Sequence, residues 1–235
     1  MEKKRDRIER ACQSVGRIET SGHPSLDWIG TGFLVAEEIV MTNRHVAKEF
    51  SRFGNGGRWV FEPGIEPRID YVEELGALDS LEFALTEVIC VHEILDIALL
   101  KVSSESPRGL SPPEPLVLAS DVSGEMEDRN VYTLGYPAWD ARRNDHDIMR
   151  RIFSNIYGVK RLQPGKVMEV FARNSLFHHD CSTLGGNSGS CVIDLETNEV
   201  IGLHFAGRYL EANKAVALWT ISDCPLFSQA GVQFN

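Results

Sequence analysis

The sequence predicts an all-β protein of the sandwich or barrel class, on three observations. Short runs of β-branched and aromatic residues recur along most of the 235-residue chain. Gly, Pro, Asn or Asp bound these runs at regular spacing, as turns between strands do. No alternation of strands with long helical patterns marks a βαβ sheet. With 43% hydrophobic and 25% charged residues, the chain is too apolar to be disordered, and its length admits one large β unit or two small ones.

The elements follow in order. Residues 4–16 are expected to form a short helix, because Ile8, Ala11, Cys12 and Val15 recur at helical spacing among charges. Strands are expected at GTGFLVA (30–36), EIVMTN (38–43), RWVFEP (58–63), EFALTEVICVHE (82–93) and DIALLKV (96–102). SSESPRGLSPPEP (103–115) is rich in Pro and Ser and reads as a connector. Strands resume at NVYTLGYP (130–137), IYGVKR (156–161), KVMEVFA (166–172), SCVIDL (190–195), EVIGLHFAG (199–207) and AVALWTI (215–221). Residues 138–156 are polar and partly helical in period, which suits a surface insertion. LETNE (195–199) reads as the hairpin turn that brings the strand after Ser188 back towards His204. The organisation expected is a helical extension at 1–17 and two β units at 18–115 and 116–235.

Composition narrows the function. There are 24 Lys+Arg against 34 Asp+Glu, a net charge of −10 that repels a phosphate backbone. The basic clusters KKRDR and MRRIF are short, so no nucleic-acid partner is expected. The opening residues lack the apolar core of a secretory signal, and no run of about 18 apolar residues follows. A cytoplasmic location and no membrane partner are therefore expected. The five cysteines are odd in number, without a C-x-x-C pair or a zinc-like His spacing. They are expected as free thiols, with no metal and no cofactor; a redox role for Cys181 and Cys191 is the alternative to simple packing.

The stretch LGGNSGSCV (184–192) sets Ser188 in a glycine-rich turn before a strand. Such a turn can aim bare N–H groups at one point beside a nucleophile; it also suits a plain loop. A serine hydroxyl needs a base, and the base needs a group to hold its tautomer. Of seven histidines, His45 in VMTNRHVAKEF stands where a strand turns helical, at a rim. Asp96 precedes the apolar run IALLKV, where a carboxylate needs a hydrogen-bonding partner; a histidine N–H is one such partner, and a turn cap is the other reading.

TNRHVA, LDIALLKV and GGNSGS occur in the order His, Asp, Ser. Together they resemble the trypsin-like serine protease family, from Gly30 to about Ile221. TGFLV followed by TNRHV, GYP at 135–137, STLGGNSGS and VIGLHFAG look most like its bacterial glutamyl endopeptidase branch. The resemblance implies a chymotrypsin-like pair of six-stranded antiparallel β-barrels with the site in the cleft between them. His45 would be general base and then acid, Asp96 would orient it, and Ser188 would attack a peptide carbonyl. The amides of Gly186 and Ser188 would form the oxyanion hole. Ser182 would lie at the base of the primary pocket, with Thr183 and His204 lining it. Phe205, Ala206 and Gly207 would pair with the substrate backbone. Arg208 would add positive potential, and His204 would favour Glu, Asp or Gln before the scissile bond.

Two positions depart from the family. Asn187 stands where many relatives have aspartate, so it supplies no acid to pair with a newly cut N-terminus. Cys191 stands where proline is frequent. The partners expected are a protein or peptide substrate, such as one dedicated effector in a bacterial defence or signalling system, and a regulatory partner. The alternative function is an inactive peptide-binding module on the same barrels.

Overall fold

The computed structural model describes residues 2–140 and 144–235. The chain opens with helix α1 (Glu2–Gln13) and then builds β1 (Val15–Ser21), β2 (Trp28–Ala36) and β3 (Ile39–Thr42). A one-turn helix α2 (Arg44–Ala47) leads to a small hairpin of β4 (Ser51–Phe53) and β5 (Trp59–Phe61). Next come β6 (Glu66–Asp70), β7 (Glu82–Val91) and β8 (Ala98–Val102). Strands β1, β2, β3, β8, β7 and β6 close into one antiparallel barrel.

The second half repeats the architecture. It contains β9 (Asn130–Gly135), helix α3 (His146–Phe153), β10 (Arg161–Phe171), β11 (Leu176–His179), β12 (Cys191–Asp194), β13 (Val200–Arg208) and β14 (Ala212–Ala217). A short helix α4 (Pro225–Gln229) follows, and the six strands close in the order β10, β11, β14, β13, β12, β9. The double six-stranded barrel is therefore the fold. No described helix is long and apolar enough to cross a membrane.

Period-2 alternation decides where each side chain goes. Leu34, Val40 and Leu100 fill the first barrel, whereas their neighbours Phe33, Met41 and Leu99 point the other way. The latter join Tyr132, Leu134, Tyr136 and Leu203 of the second barrel in one shared core. Val131, Phe177 and Val192 fill the second barrel itself.

Several expectations need correcting. The helix stops at Gln13, not 16, because Val15 already pairs with Phe33 as the first residue of β1. IYGVKR is not a strand until Arg161. Its backbone is used elsewhere: Gly158 N donates to Pro137 O and Lys160 N to Glu73 O. AVALWTI leaves the barrel after Ala217 and turns into a 3₁₀ segment over Leu218–Ile221. Strands β1, β4, β6 and β11 were not foreseen. In β1 the alternation is hidden by buried Glu19, in β6 by Pro67, and β4 and β11 are only three and four residues long. The insertion at 138–156 carries helix α3; its residues 141–143 lie outside the described residues.

Candidate active site

Strand β3 ends at Thr42, and α2 begins at once with Asn43 as its N-cap. That abrupt change lifts His45 to the barrel rim, with its side chain 48% exposed. Asp96 grips it twice: the ring Nδ1 lies 2.6 Å from Oδ2, and the His45 amide donates to Oδ1 at 2.9 Å. Asn43, which the sequence reading passed over, donates its amide to the Asp96 carbonyl at 2.9 Å. The Asp96 environment opposes itself. Burial raises the carboxyl pKa, but hydrogen bonds from the His45 ring and amide, with the nearby positive charge, outweigh it and leave the pKa lowered. An ionised Asp96 holds the His45 proton on Nδ1 and leaves Nε2 as the basic nitrogen.

Ser188 sits on a turn that requires glycine on both sides. Gly186 has φ +87°, and a Cβ there would lie 2.3 Å from the Tyr136 carbonyl oxygen. Gly189 has φ +90°, and its Cβ would lie 2.0 Å from the Thr31 carbonyl oxygen. The first barrel clamps this turn: Thr31 N donates to Ser188 O at 2.8 Å, and Thr31 Oγ1 donates to Gly186 O at 2.9 Å. Behind it, Asn187 is fully buried and donates to Leu184 O. Among the described residues, the amides of Gly186 and Ser188 donate to no protein acceptor. Two free N–H groups on one rigid turn are what a developing oxyanion needs.

His45, Ser182, Thr183, Ser188, His204, Phe205, Ala206 and Gly207 all line one cavity of about 490 Å³. Asp96 stands behind His45, and Gly186 lies beneath the turn against Trp28 and Tyr136. The sequence-selected residues are thus gathered into one site. Helix α3 supplies the far wall through Ile148, Met149, Ile152 and Phe153.

His204 is buried, 3% exposed, with its Nδ1 3.1 Å from Nε2 of His179. Burial first, then the positive charge of His45, bring its pKa down to about 3. His179 is also pushed well down, by burial and then by His204. Both rings are therefore neutral at neutral pH. His179 lies 25 residues from its partner, and nothing in the sequence marks the pairing. Arg208, expected to add positive potential, lines the cavity, its guanidinium largely exposed and 3.1 Å from Glu211.

The cysteine alternative meets a physical obstacle. Cys181 and Cys191 are free and buried, and desolvation pushes each thiol up to about 12, away from the reactive thiolate. Glu19, Asp70 and Glu73 do bring carboxylates close enough for a cation. Arg17 and Arg68 already hold Glu19 at 2.5 and 2.6 Å, and Arg17 holds Glu73 at 3.1 Å, so this cluster is an ion-pair network.

A family sequence model, described as a trypsin-like peptidase domain, matches residues 30–203. The chain belongs to that family. A probable serine protease of Lysobacter enzymogenes is 27% identical to this trypsin-like peptidase domain, over 89% of the chain and 61% of its own length. A glutamyl endopeptidase of Staphylococcus epidermidis is 26% identical, over 80% of the chain and 57% of its own length. The chain thus spans about three-fifths of the length of these curated relatives, 61% and 57%. Among solved structures, a protease of M. tuberculosis in its active form has a TM-score of 0.63 at 20% identity. That superposition covers 97% of this chain and 85% of that one, and it shows the shared fold.

Proposed function

We propose that this trypsin-like peptidase domain is a serine endopeptidase. The observation that carries the reading is His45, gripped from behind by Asp96 and facing the same cavity as Ser188, whose turn offers two amides unpaired among the described residues. Ser188 Oγ attacks the peptide carbonyl while His45 Nε2 takes its proton, and Asp96 stabilises the imidazolium that forms. The amides of Gly186 and Ser188 receive the negative oxygen of the tetrahedral intermediate. His45 then returns the proton to the leaving amine. Water enters, the same base activates it, and the acyl-enzyme is hydrolysed.

The side chain before the scissile bond enters the cavity lined by Ser182, Thr183 and His204, and the edge at Phe205–Gly207 pairs with the substrate backbone. A neutral His204 favours a hydrogen-bond acceptor there, so Glu, Asp or Gln is the proposed preference. The S. epidermidis relative, a glutamyl endopeptidase by name, agrees with an acidic one. We also propose a cytoplasmic processing role on one dedicated effector protein in a bacterial defence or signalling system, which rests on composition and family resemblance.

One observation favours the second reading, a peptide-binding module. Among the described residues no hydrogen bond joins Ser188 to His45. Such bonds are frequently long in enzymes without substrate and tighten on binding. A fluorophosphonate probe decides between the two: the wild-type protein is expected to be labelled, and Ser188→Ala is not. Labelling of both or of neither refutes the enzyme.

A further inference from the structure

Two polar side chains on different segments line the cavity, and the hydrogen bonds behind each fix what it has left to offer. Thr183 is decided by Asn213. The Cys181 carbonyl oxygen can only accept, so the atom 2.5 Å from it is the NH₂ group of Asn213. The amide oxygen of Asn213 then lies 2.6 Å from Thr183 Oγ1. An amide oxygen cannot donate. Thr183 therefore spends its single proton on Asn213 and has only lone pairs to offer a ligand.

His204 is decided by His179. One of the two rings donates across their 3.1 Å contact. The other nitrogen of His179, Nδ1, is buried without a hydrogen-bond partner among the described residues. If His204 were the donor, neutral His179 would carry its proton on that isolated Nδ1, leaving a buried unpaired N–H. If His179 donates, the isolated atom is only a bare lone pair. Orphaned buried N–H groups are the rarer and costlier case, so His179 donates. His204 accepts at Nδ1 and carries its own proton on Nε2, which has no protein partner among the described residues and is not sealed among the buried unpaired atoms. The low pKa of His204, about 3, keeps this ring a neutral single donor.

We infer that the primary pocket is built for a carboxamide, so that glutamine before the scissile bond is preferred to glutamate. This rests on the serine endopeptidase reading and sharpens its substrate class. The amide oxygen of glutamine accepts from His204 Nε2, and its NH₂ group donates to Thr183 Oγ1. A glutamate carboxylate meets the same donor, but its second oxygen faces the Thr183 lone pairs with no proton between them. Among the described residues that line the cavity, Arg208 is paired with Glu211, and Asp180 brings a carboxylate of its own. The hydroxyl of Ser182 makes no protein hydrogen bond among the described residues and turns to suit either ligand. Asparagine offers the same amide one methylene short.

The experiment measures hydrolysis of peptides identical except for Gln, Glu, Asn or Ala before the cut. The expected kcat/KM for Gln exceeds that for Glu by about tenfold or more, since a pocket that leaves buried polar groups unpaired rejects strongly. Thr183→Val is expected to bring the Gln-to-Glu ratio close to one, and Thr183→Ser to retain it. Fluorophosphonate labelling of both variants reports that they are folded. Glu cleaved as fast as Gln or faster by the labelled wild-type protein overturns the carboxamide assignment and leaves the endopeptidase standing. Absence of both hydrolysis and labelling overturns the two together.

Discussion

Asp96 uses one carboxylate oxygen on the His45 ring and the other on the His45 backbone, so the ring and the helix turn that carries it are held by the same residue. Asp96→Asn keeps the size but offers an N–H where the ring needs an acceptor, which favours the wrong tautomer. The expected outcome is a loss of about 10⁴-fold in kcat with the fold retained, measured by peptide hydrolysis beside circular dichroism. The histidine pair makes a second prediction, in stability. His204 titrates at about 3 when folded against an ordinary 6.5. Between those values the unfolded chain binds a proton that the folded one refuses. Stability is therefore full above 6.5 and falls as pH drops through the window, approaching about 1.4 kcal/mol per pH unit for one proton. His179 acts in the same direction. Urea midpoints taken from about pH 7 to about pH 4 should fall steeply in the wild type and less steeply in His179→Phe; parallel slopes would refute the neutral pair.

At the scale of elements, the turn over Gly186–Gly189 and helix α3 do different work. The turn is held by Thr31 and Asn187 at backbone approaches too close for a Cβ, so a methyl group is enough to disturb it. Gly189→Ala meets both a positive φ and the Thr31 carbonyl oxygen. A cost of roughly 1–3 kcal/mol in stability is expected from the backbone strain alone, with activity lost further because Ser188 moves with the turn. Helix α3 is organised by its cap: Asp145 accepts from the amides of Asp147 and Ile148 at 3.0 and 2.9 Å. Met149 and Phe153 anchor it, while Ile148 and Ile152 stay exposed along the cavity. An apolar wall that contributes to binding and not to folding should separate the two measurements. Ile148→Asp is expected to raise KM for peptide substrates more than it lowers kcat, with the thermal midpoint little changed.

Across the whole molecule the two barrels share one core, and charged side chains lock it. Phe33 of the first barrel packs with Leu134 and Tyr136 of the second, all fully buried. The Tyr136 hydroxyl lies 3.3 Å from the Val15 carbonyl oxygen across the junction. Lys160, its side chain 4% exposed, donates to the carbonyls of Cys12 and Tyr71 at 2.7 Å each and meets Glu74 at 3.1 Å. Arg17 reaches Gly158 O at 2.7 Å. These clamps join the end of α1, the first barrel and the approach to β10. Phe33→Ala should therefore cost about 3–5 kcal/mol, and urea unfolding should remain a single transition because neither barrel keeps its outer face dry alone. Two resolved transitions would refute the shared core.

Legibility followed the range of the forces. The strands at 30–36, 82–93 and 199–207 were readable because β-branched and aromatic residues gather there in short runs bounded by turn-forming residues. The proposed triad of His45, Asp96 and Ser188 could be picked out because each candidate sits in a local setting that such chemistry needs: a strand-to-helix rim, the start of an apolar strand and a glycine turn. β1 could not, because the burial of Glu19 depends on Arg68, which arrives from another strand. The sequence by itself determined the two β-rich halves, the order of the candidate triad residues and the glycines around Ser188. Only the tertiary structure decided which proton each pocket residue has left to give. The reason is that His179 meets His204, and Asn213 joins Cys181 to Thr183, across strands far apart in the chain, where hydrogen-bond direction has no local signature.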